Sequence, residues 1–507
     1  MSYLDLQIML LDRTICSRAR LTHDARFDGQ FFIAVTTTRI YCRPICPARP
    51  PKEENVRYFP TAAAASEAGF RPCLRCRPEC APGTPAWLGT SATVSRALRL
   101  IGESELQDGG VNALATHLGI GPRHLRRLFL KHLGASPIAV VQTRRLYFAK
   151  KLIDETCLEM REIALAAGFG SIRRFNDTFR KTYHRTPTHL RNLRRSAPVL
   201  PENEYRFSLR FRPPFCWPAL LGFLAPRAIP GVEAVDGGTY RRIFSLNNHI
   251  GWLEASLDEP ANALSLRIRF PEPRWLFLIV ERVRRLFDLS ADSEEITSHL
   301  RRDRMLTSRI ASRPGLRIPG CWDGFELAVR AILGQQVTVA GATTLSGRLV
   351  RAFGAPVVVS QKLTHIFPSP EKLADSDLSK IGLPKARALC LRSLAQAVCN
   401  GKIAFSGVVN VEEFLGRFCD LPGIGAWTAQ YVSMRALGEP DAFPASDLGL
   451  LRAAGFRNSR ELENRAEGWR PWRAYAAMYL WQGVSNDEQH LLHTNRKPAR
   501  AVAAGGR

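Results

Sequence analysis

"DLPGIGAWTA", residues 420–429, sets two glycines and a proline between two apolar stretches. Leu-Pro-Gly-Ile-Gly predicts a tight hairpin between two helices. Its glycines leave backbone N–H groups uncovered, so a phosphate oxygen can approach where a side chain would block it. A lone "PGIG" is a weak signal. Here "DAFPASDLGLL", residues 441–451, follows and places Asp447 behind Pro444 and Ser446 at a predicted helix start.

The surrounding chain has 507 residues, too many for one core, which suggests three or four domains. Its 45% apolar and 23% charged residues are those of folded protein. No apolar run approaches the roughly 20 residues of a membrane helix. The first residues, "MSYLDLQIMLLDRTICSRAR", put acidic side chains before the apolar stretch and carry no convincing cleavage site. A cytoplasmic, nucleoid-associated protein with no membrane contact is expected. The formal net charge is +25, and both the first 200 residues and the remainder are basic, which points to a phosphate backbone as partner. Twelve cysteines in a reducing compartment argue against a disulfide framework.

Four segments stand out. Residues 1–84 hold close cysteine pairs and end at the break "APGTP". Residues 88–196 are helix-rich and basic, and the linker "RRSAPVLPENE" follows. Residues 204–314 alternate apolar and polar, as in "ALSLRIRF", which predicts strands. Residues 315–490 show helical patterns, and the tail "HTNRKPARAVAAGGR" has the composition of a disordered segment.

Cys42, Cys46, Cys73 and Cys76 read C-x3-C…C-x2-C, a donor set that suits one tetrahedral Zn2+. Cys80 lies close enough to replace Cys76. Arg39, Arg43, Arg49, Arg71, Arg75 and Arg77 crowd the four. A purely structural zinc needs no such cluster, whereas a site that docks on phosphate does. "YCRPICPARP…ENVRYF…AAGFRPCLRCRPE" resembles the N-terminal domain of the Ada adaptive-response family. The resemblance implies a zinc-held thiolate that takes the methyl group from a methylphosphotriester in DNA. By position the acceptor is Cys42, the other three cysteines are structural ligands, and Arg43, Arg49 and Arg71 face DNA. That family usually ends in an alkylguanine transferase carrying Pro-Cys-His-Arg, and this motif is absent from the chain.

The second segment repeats itself. "LATHLGIGPRHLRRLFLKHLGASP" and "IALAAGFGSIRRFNDTFRKTYHRTP" align Ala115, Gly119 and Gly121 with Ala164, Gly168 and Gly170. Each unit has a short helix, a glycine turn and an Arg-rich second helix, which is helix-turn-helix logic. The tandem pair resembles the AraC-type DNA-binding domain. Arg123, Arg126, Arg127, Arg173, Arg174 and Asn176 are the groove-facing candidates, with Arg123 and Arg173 at the starts of the second helices. The resemblance implies promoter DNA and RNA polymerase as partners.

From residue 204 to 485 the stretches "PPFCWPALLGFLAPRAIPGVE", "RPGLRIPGCWDGFELAVRAILGQQVTVAGA" and "WRPWRAYAAMYLW" join the hairpin and Asp447. Together they resemble the AlkA-type 3-methyladenine DNA glycosylases of the helix-hairpin-helix superfamily. The resemblance implies that a flipped alkylated base stacks on Trp427, Tyr431 and Trp481 and that Asp447 stabilises the sugar cation. Gly423 and Gly425 contact the DNA backbone, and no cofactor serves the glycosylase step. Bifunctional members carry a Schiff-base lysine where Trp427 stands, so no lyase step is expected. The leucine wedge that follows "ILGQ" in the family is Gln336 here.

The expected fold is multidomain α+β. It comprises a small zinc domain (1–84), an all-α tandem helix-turn-helix domain (88–196), a mixed α/β sheet domain (204–314) and an all-α helix-hairpin-helix domain (315–490). The expected protein is a monomer acting on double-stranded DNA with alkylated bases and methylphosphotriesters. Two other readings stay open: a regulator whose glycosylase half only binds DNA, and a zinc site that is only structural.

Overall fold

The computed structural model describes residues 12–82, 92–103, 110–193, 200–357, 359–408 and 410–482. The N-terminal eleven residues, most of the "APGTP" break, most of the 194–204 linker and the C-terminal tail lie outside them.

The cysteine-bearing segment forms a four-stranded sheet of β1 (Phe32–Val35), β2 (Ile40–Cys42), β3 (Val56–Phe59) and β4 (Arg71–Pro72), in the order β3-β1-β2-β4. The pairings are antiparallel except β2 with β4, which is parallel and brings the Cys42 end of one strand beside the Cys73 end of the other.

Seven helices follow, and the internal repeat appears in three dimensions. Gly110–His117 and Pro122–Leu133 make the first unit, Met160–Ala166 and Ile172–Tyr183 the second, and Pro137–Glu155 runs between them. Gly119 (φ +65°) and Gly168 (φ +76°) both turn the chain through the left-handed region, which a side chain would resist.

The third segment is a five-stranded sheet of β5 (Glu204–Arg210), β6 (Glu233–Asp236), β7 (Thr239–Leu246), β8 (His249–Asp258) and β9 (Ala263–Arg269). Its order is β5-β9-β8-β7-β6 and every pairing is antiparallel. In β9, Leu264, Leu266 and Ile268 are fully buried while Ser265 and Arg267 alternate with them on the other face, as "ALSLRIRF" predicts.

The cores do not divide where the sequence does. Phe32, Ala34 and Tyr41 of the first sheet share one core with Leu114, Leu125, Phe129 and Val140 of the first helix-turn-helix unit. Leu152, Phe175 and Phe179, from the second unit and the helix before it, join the core of the large sheet instead. That core also takes Phe443, Leu450, Trp469 and Tyr479, so residues 442–480 pack with the sheet and not with the helices before them. Residues 325–437 keep a core of their own, including Ile332, Leu391 and Phe418. Helical periodicity shows which face of a segment is apolar, but not which neighbour covers it.

Buried polar contacts tie these bodies together. Tyr41 and Tyr147 share a 2.5 Å hydrogen bond, and Ser136 Oγ donates to Glu67 at 2.6 Å. Arg43 is buried and ion-paired with Asp28, which is also buried. Arg212 Nε donates to the Asp28 carbonyl at 2.9 Å, and Arg317 Nη2 donates to the Arg212 carbonyl at 2.8 Å. Arg43 was expected to face DNA. Its guanidinium is instead consumed inside, on Asp28 and on the Cys76 carbonyl at 3.0 Å.

Removing one partner of a buried ion pair leaves the other charge uncompensated, which typically costs about 3–5 kcal/mol. Asp28→Ala should therefore lower the denaturant midpoint of the first unfolding transition sharply, whereas Asp24→Ala, at a more exposed pair with Arg26, should shift it little.

Candidate functional site

The "DLPGIG" hairpin joins the Val411–Cys419 helix to the Ala426–Ala436 helix. Gly423 adopts φ +83°, and a Cβ there would lie 3.2 Å from Cys390 Cβ, so the position needs glycine on two counts. Gly425 has open space beside it and precedes the helix with no side-chain cap, which leaves the first N–H groups free for an external acceptor. Gln335, which sequence reasoning did not single out, holds this hairpin in place. Its Nε2 donates to the Gly423 carbonyl at 2.9 Å and to Thr428 Oγ1 at 3.0 Å. The next residue, Gln336, is exposed with φ +55°, a conformation rare outside glycine and enriched where side chains are displayed for function.

Asp447 caps the Leu448–Ala454 helix, with Oδ1 accepting from Leu450 N at 2.9 Å. The same Oδ1 accepts from Trp481 Nε1 at 2.9 Å, and Oδ2 accepts from Trp427 Nε1 at 2.8 Å. The cap and the functional candidate are thus one carboxylate, oriented by three donors and still partly exposed. Trp427 and Trp481 clamp it as well as bounding the space beside it. Trp427 stacks on Tyr431 with centroids 5.3 Å apart and planes 8° from parallel, and Trp481 meets Tyr431 edge-on at 6.3 Å. The three aromatic positions read from the sequence are therefore neighbours of one another and of Asp447. Phe223, 6.4 Å from Trp481, completes the aromatic wall. It lies in the quoted stretch "ALLGFLAP", but an apolar residue in an apolar helix carries no separate signal.

Behind the wall stand arginines. Arg435 is buried, donates to the carbonyls of Pro319 at 2.7 Å and Gly320 at 2.9 Å, and gives Nη1 to the Tyr431 hydroxyl at 2.7 Å. Arg227 lies over the Phe223 ring at 3.9 Å. Burial alone would push the Tyr431 phenol up, but the charges of Arg435, Arg227 and Arg330 outweigh it and hold the group below the ordinary tyrosine value. A separate cavity of about 370 Å³, at the junction of the Ala92–Glu103 helix with residues 278–292 and 434–440, includes none of Asp447, Trp427 and Trp481 in its lining.

The second site is the cysteine cluster. The four Sγ atoms of Cys42, Cys46, Cys73 and Cys76 all lie within 4.8 Å of one another, a spacing and donor set that fit one tetrahedral zinc. Cys42 is partly exposed and the other three are buried. Arg43 N–H points at Cys76 Sγ at 3.4 Å. Cys80 stands outside the group. Arg49 is exposed and Arg71 is half-buried, while Arg77 pairs with Asp154 and Glu79. On the helix-turn-helix units Arg123, Arg126, Arg127, Arg173 and Arg174 are exposed, at or near the start of each second helix, and Asn176 is half-buried. No helix among the described residues is long and apolar enough to cross a membrane.

Comparison with known proteins follows the same order along the chain. Residues 15–79 match the metal binding domain of Ada, 114–193 a helix-turn-helix domain, 206–323 the AlkA N-terminal domain, and 329–464 the HhH-GPD superfamily of base excision DNA repair proteins. The DNA-3-methyladenine glycosylase 2 of Escherichia coli is 33% identical over 56% of this chain and 99% of that protein. A solved 3-methyladenine DNA-glycosylase from Archaeoglobus fulgidus shares the fold, with a TM-score of 0.50 and 22% identity over 55% of this chain and 98% of that one. A protein of Mycobacterium tuberculosis described as a probable bifunctional transcriptional activator/DNA repair enzyme AlkA is 43% identical over 92% of this chain and 95% of its own length. With that identity along nearly the whole chain and all four domains in order, the chain belongs to the family of bifunctional AlkA-type transcriptional activator/DNA repair enzymes.

Proposed function

We propose that the protein excises alkylated bases such as 3-methyladenine and 7-methylguanine from DNA as a monofunctional glycosylase. In the same chain it accepts methyl groups from methylphosphotriesters and binds promoter DNA as a transcription regulator. The observation that carries the glycosylase reading is the Asp447 carboxylate, clamped by two indole N–H groups and bordered by Phe223, Tyr431 and Trp481.

The target nucleotide leaves the stack, and its base enters the aromatic wall. An alkylated purine carries positive charge, so the ring faces attract it. Gly423 and Gly425 turn the hairpin toward the DNA backbone, and Gln336 is the side chain displayed to fill the gap. As the N-glycosidic bond breaks, its electron pair leaves with the base and the sugar develops oxocarbenium character. The negative charge of Asp447 stabilises that cation, and water adds at C1′ to give an intact abasic site. Trp427 offers no amine for a Schiff base.

At the other site Cys42, Cys46, Cys73 and Cys76 would hold zinc. Bound zinc keeps the sulfurs as thiolates at neutral pH. Cys42 is the exposed member and thus the acceptor. Its sulfur attacks the methyl carbon, an S–CH3 bond forms, the CH3–O bond breaks, and the electron pair stays on the phosphate oxygen. The added methyl removes one negative charge beside the DNA backbone, so affinity rises. Arg49 and Arg71 supply the phosphate contacts in this domain, and Arg123 and Arg173 enter the groove. Double-stranded DNA, promoter DNA and RNA polymerase are the partners of a cytoplasmic, nucleoid-associated monomer. The reading in which the glycosylase half only binds DNA is disfavoured, because a pure binding surface has no use for a carboxylate held by two tryptophans.

Asp447→Asn should slow single-turnover release of 3-methyladenine about a hundredfold or more, about 3 kcal/mol, while binding to abasic DNA persists. Near-normal release would reassign the chemistry to another carboxylate. Borohydride should trap no adduct with the wild type. Mass mapping after incubation with methylated DNA should find the added methyl on Cys42, and Cys42→Ala should accept none; a methyl on Cys46, Cys73 or Cys76 would refute the assignment. Replacing Arg123 and Arg173 by Ala in the full chain should shallow the salt dependence of promoter binding by about one unit per lost phosphate contact. An unchanged slope and affinity would remove both residues from the interface.

A further inference from the structure

We propose that the Tyr431 hydroxyl is a hydrogen-bond donor to the departing base, fixed and polarised by Arg435, and that it extends the pocket to neutral damaged bases. The inference rests on the glycosylase reading above and concerns which leaving groups that site can serve.

The argument begins with the direction of one hydrogen bond. A guanidinium can only donate, so in the 2.7 Å contact the Tyr431 oxygen accepts from Arg435 Nη1. The phenol proton must then point elsewhere, and among the described residues no acceptor is recorded for it. Arg435 cannot turn away to relieve this arrangement, because its Nε and Nη2 are held on the carbonyls of Pro319 and Gly320 in the interior. Tyr431 is equally fixed, stacked at 5.3 Å on Trp427 and packed against Trp481 at 6.3 Å. Those two tryptophans hold Asp447. The free donor therefore belongs to the same aromatic wall that receives the base.

The charges around it decide what it is for. A cationic base leaves as a neutral molecule and gains no negative charge, so it needs only the ring faces and Asp447. A neutral base must take up the bonding electrons as negative charge unless a donor shares its proton. Arg435, Arg227 and Arg330 surround the phenol, and their positive charge strengthens its O–H as a donor. The same three charges oppose a cationic base, so the pocket is not optimised for cations alone. The site has two electrostatic faces: a carboxylate for the sugar and a guanidinium-backed phenol for the base.

The test compares two duplexes differing only in the lesion, one with cationic 7-methylguanine and one with neutral hypoxanthine, in single-turnover excision by the full chain. Tyr431→Phe keeps the ring and removes the donor. It should reduce the rate on hypoxanthine at least 30-fold and the rate on 7-methylguanine less than threefold. Binding of both duplexes should stay within about threefold of wild type, since the donor acts as charge develops. An equal loss on both lesions, or no loss on either, would overturn the proposal, as would a wild type that excises 7-methylguanine but never hypoxanthine. A wild type inactive on both would instead sink the glycosylase reading itself. Tyr431→Trp, which offers an N–H donor in a different place, should not restore the hypoxanthine rate. Full recovery there would mean that aromatic bulk, not the donor, is what the site requires.

Discussion

The pair of Asp28 and Arg43 is the constraint on which the assembly turns. Both side chains are almost fully buried, so each is tolerable only in the presence of the other. Arg43 follows Cys42 directly and also bonds the Cys76 carbonyl, so the pair fixes two of the cysteines relative to the sheet. Asp28 extends the arrangement outward through its own carbonyl to Arg212, and Arg212 through its carbonyl to Arg317. Three interior arginines thus connect the cysteine cluster to the "FRPP" and "RPGLRIPG" turns that open and close the large sheet domain. A guanidinium suits this work because its donors fan out in a plane and can satisfy carbonyls from different segments at once.

The same economy governs the candidate active site. Asp447 ends a loop and starts a helix, and its carboxylate serves as cap, as tryptophan acceptor and as the charge facing the sugar. Gln335 does for the hairpin what the tryptophans do for the carboxylate, pinning a glycine-rich turn that would otherwise have many conformations. The arginines behind Tyr431 are positioned by main-chain carbonyls, not by acids, so their charge is not cancelled locally.

Much of this was legible in the sequence because the signals were local. Cys42, Cys46, Cys73 and Cys76 announce a metal site by spacing, and the model brings their sulfurs together. The glycine turns of the two repeat units, the strand alternation of "ALSLRIRF" and the hairpin at Gly423 are likewise dictated by residues a few positions apart. What the sequence hid was the partner of each surface. Arg43 looked like its exposed neighbours Arg39 and Arg49, and only the distant Asp28 draws it inside. Phe223 and Arg435 lie about 200 residues apart and meet through the fold, with Arg435 over the Phe223 ring at 5.2 Å. The placement of residues 442–480 against the sheet was hidden for the same reason, since their apolar stripes would fit either core.

The helix Pro137–Glu155 spans two cores, and this sets an order of maturation on the ribosome. Val140, near its start, belongs to the core shared with the first sheet, whose members all lie between Phe32 and Val140. That body can close as soon as its own residues have emerged. Leu152 and Ile153, near the other end, wait for β5 to β9 and for the returning segment that ends at Leu480. The second DNA-reading unit therefore finishes folding only when translation is nearly complete. A nascent or prematurely terminated chain carries the cysteine cluster but an immature grip on DNA, so an unfinished product is poorly equipped to occupy a promoter.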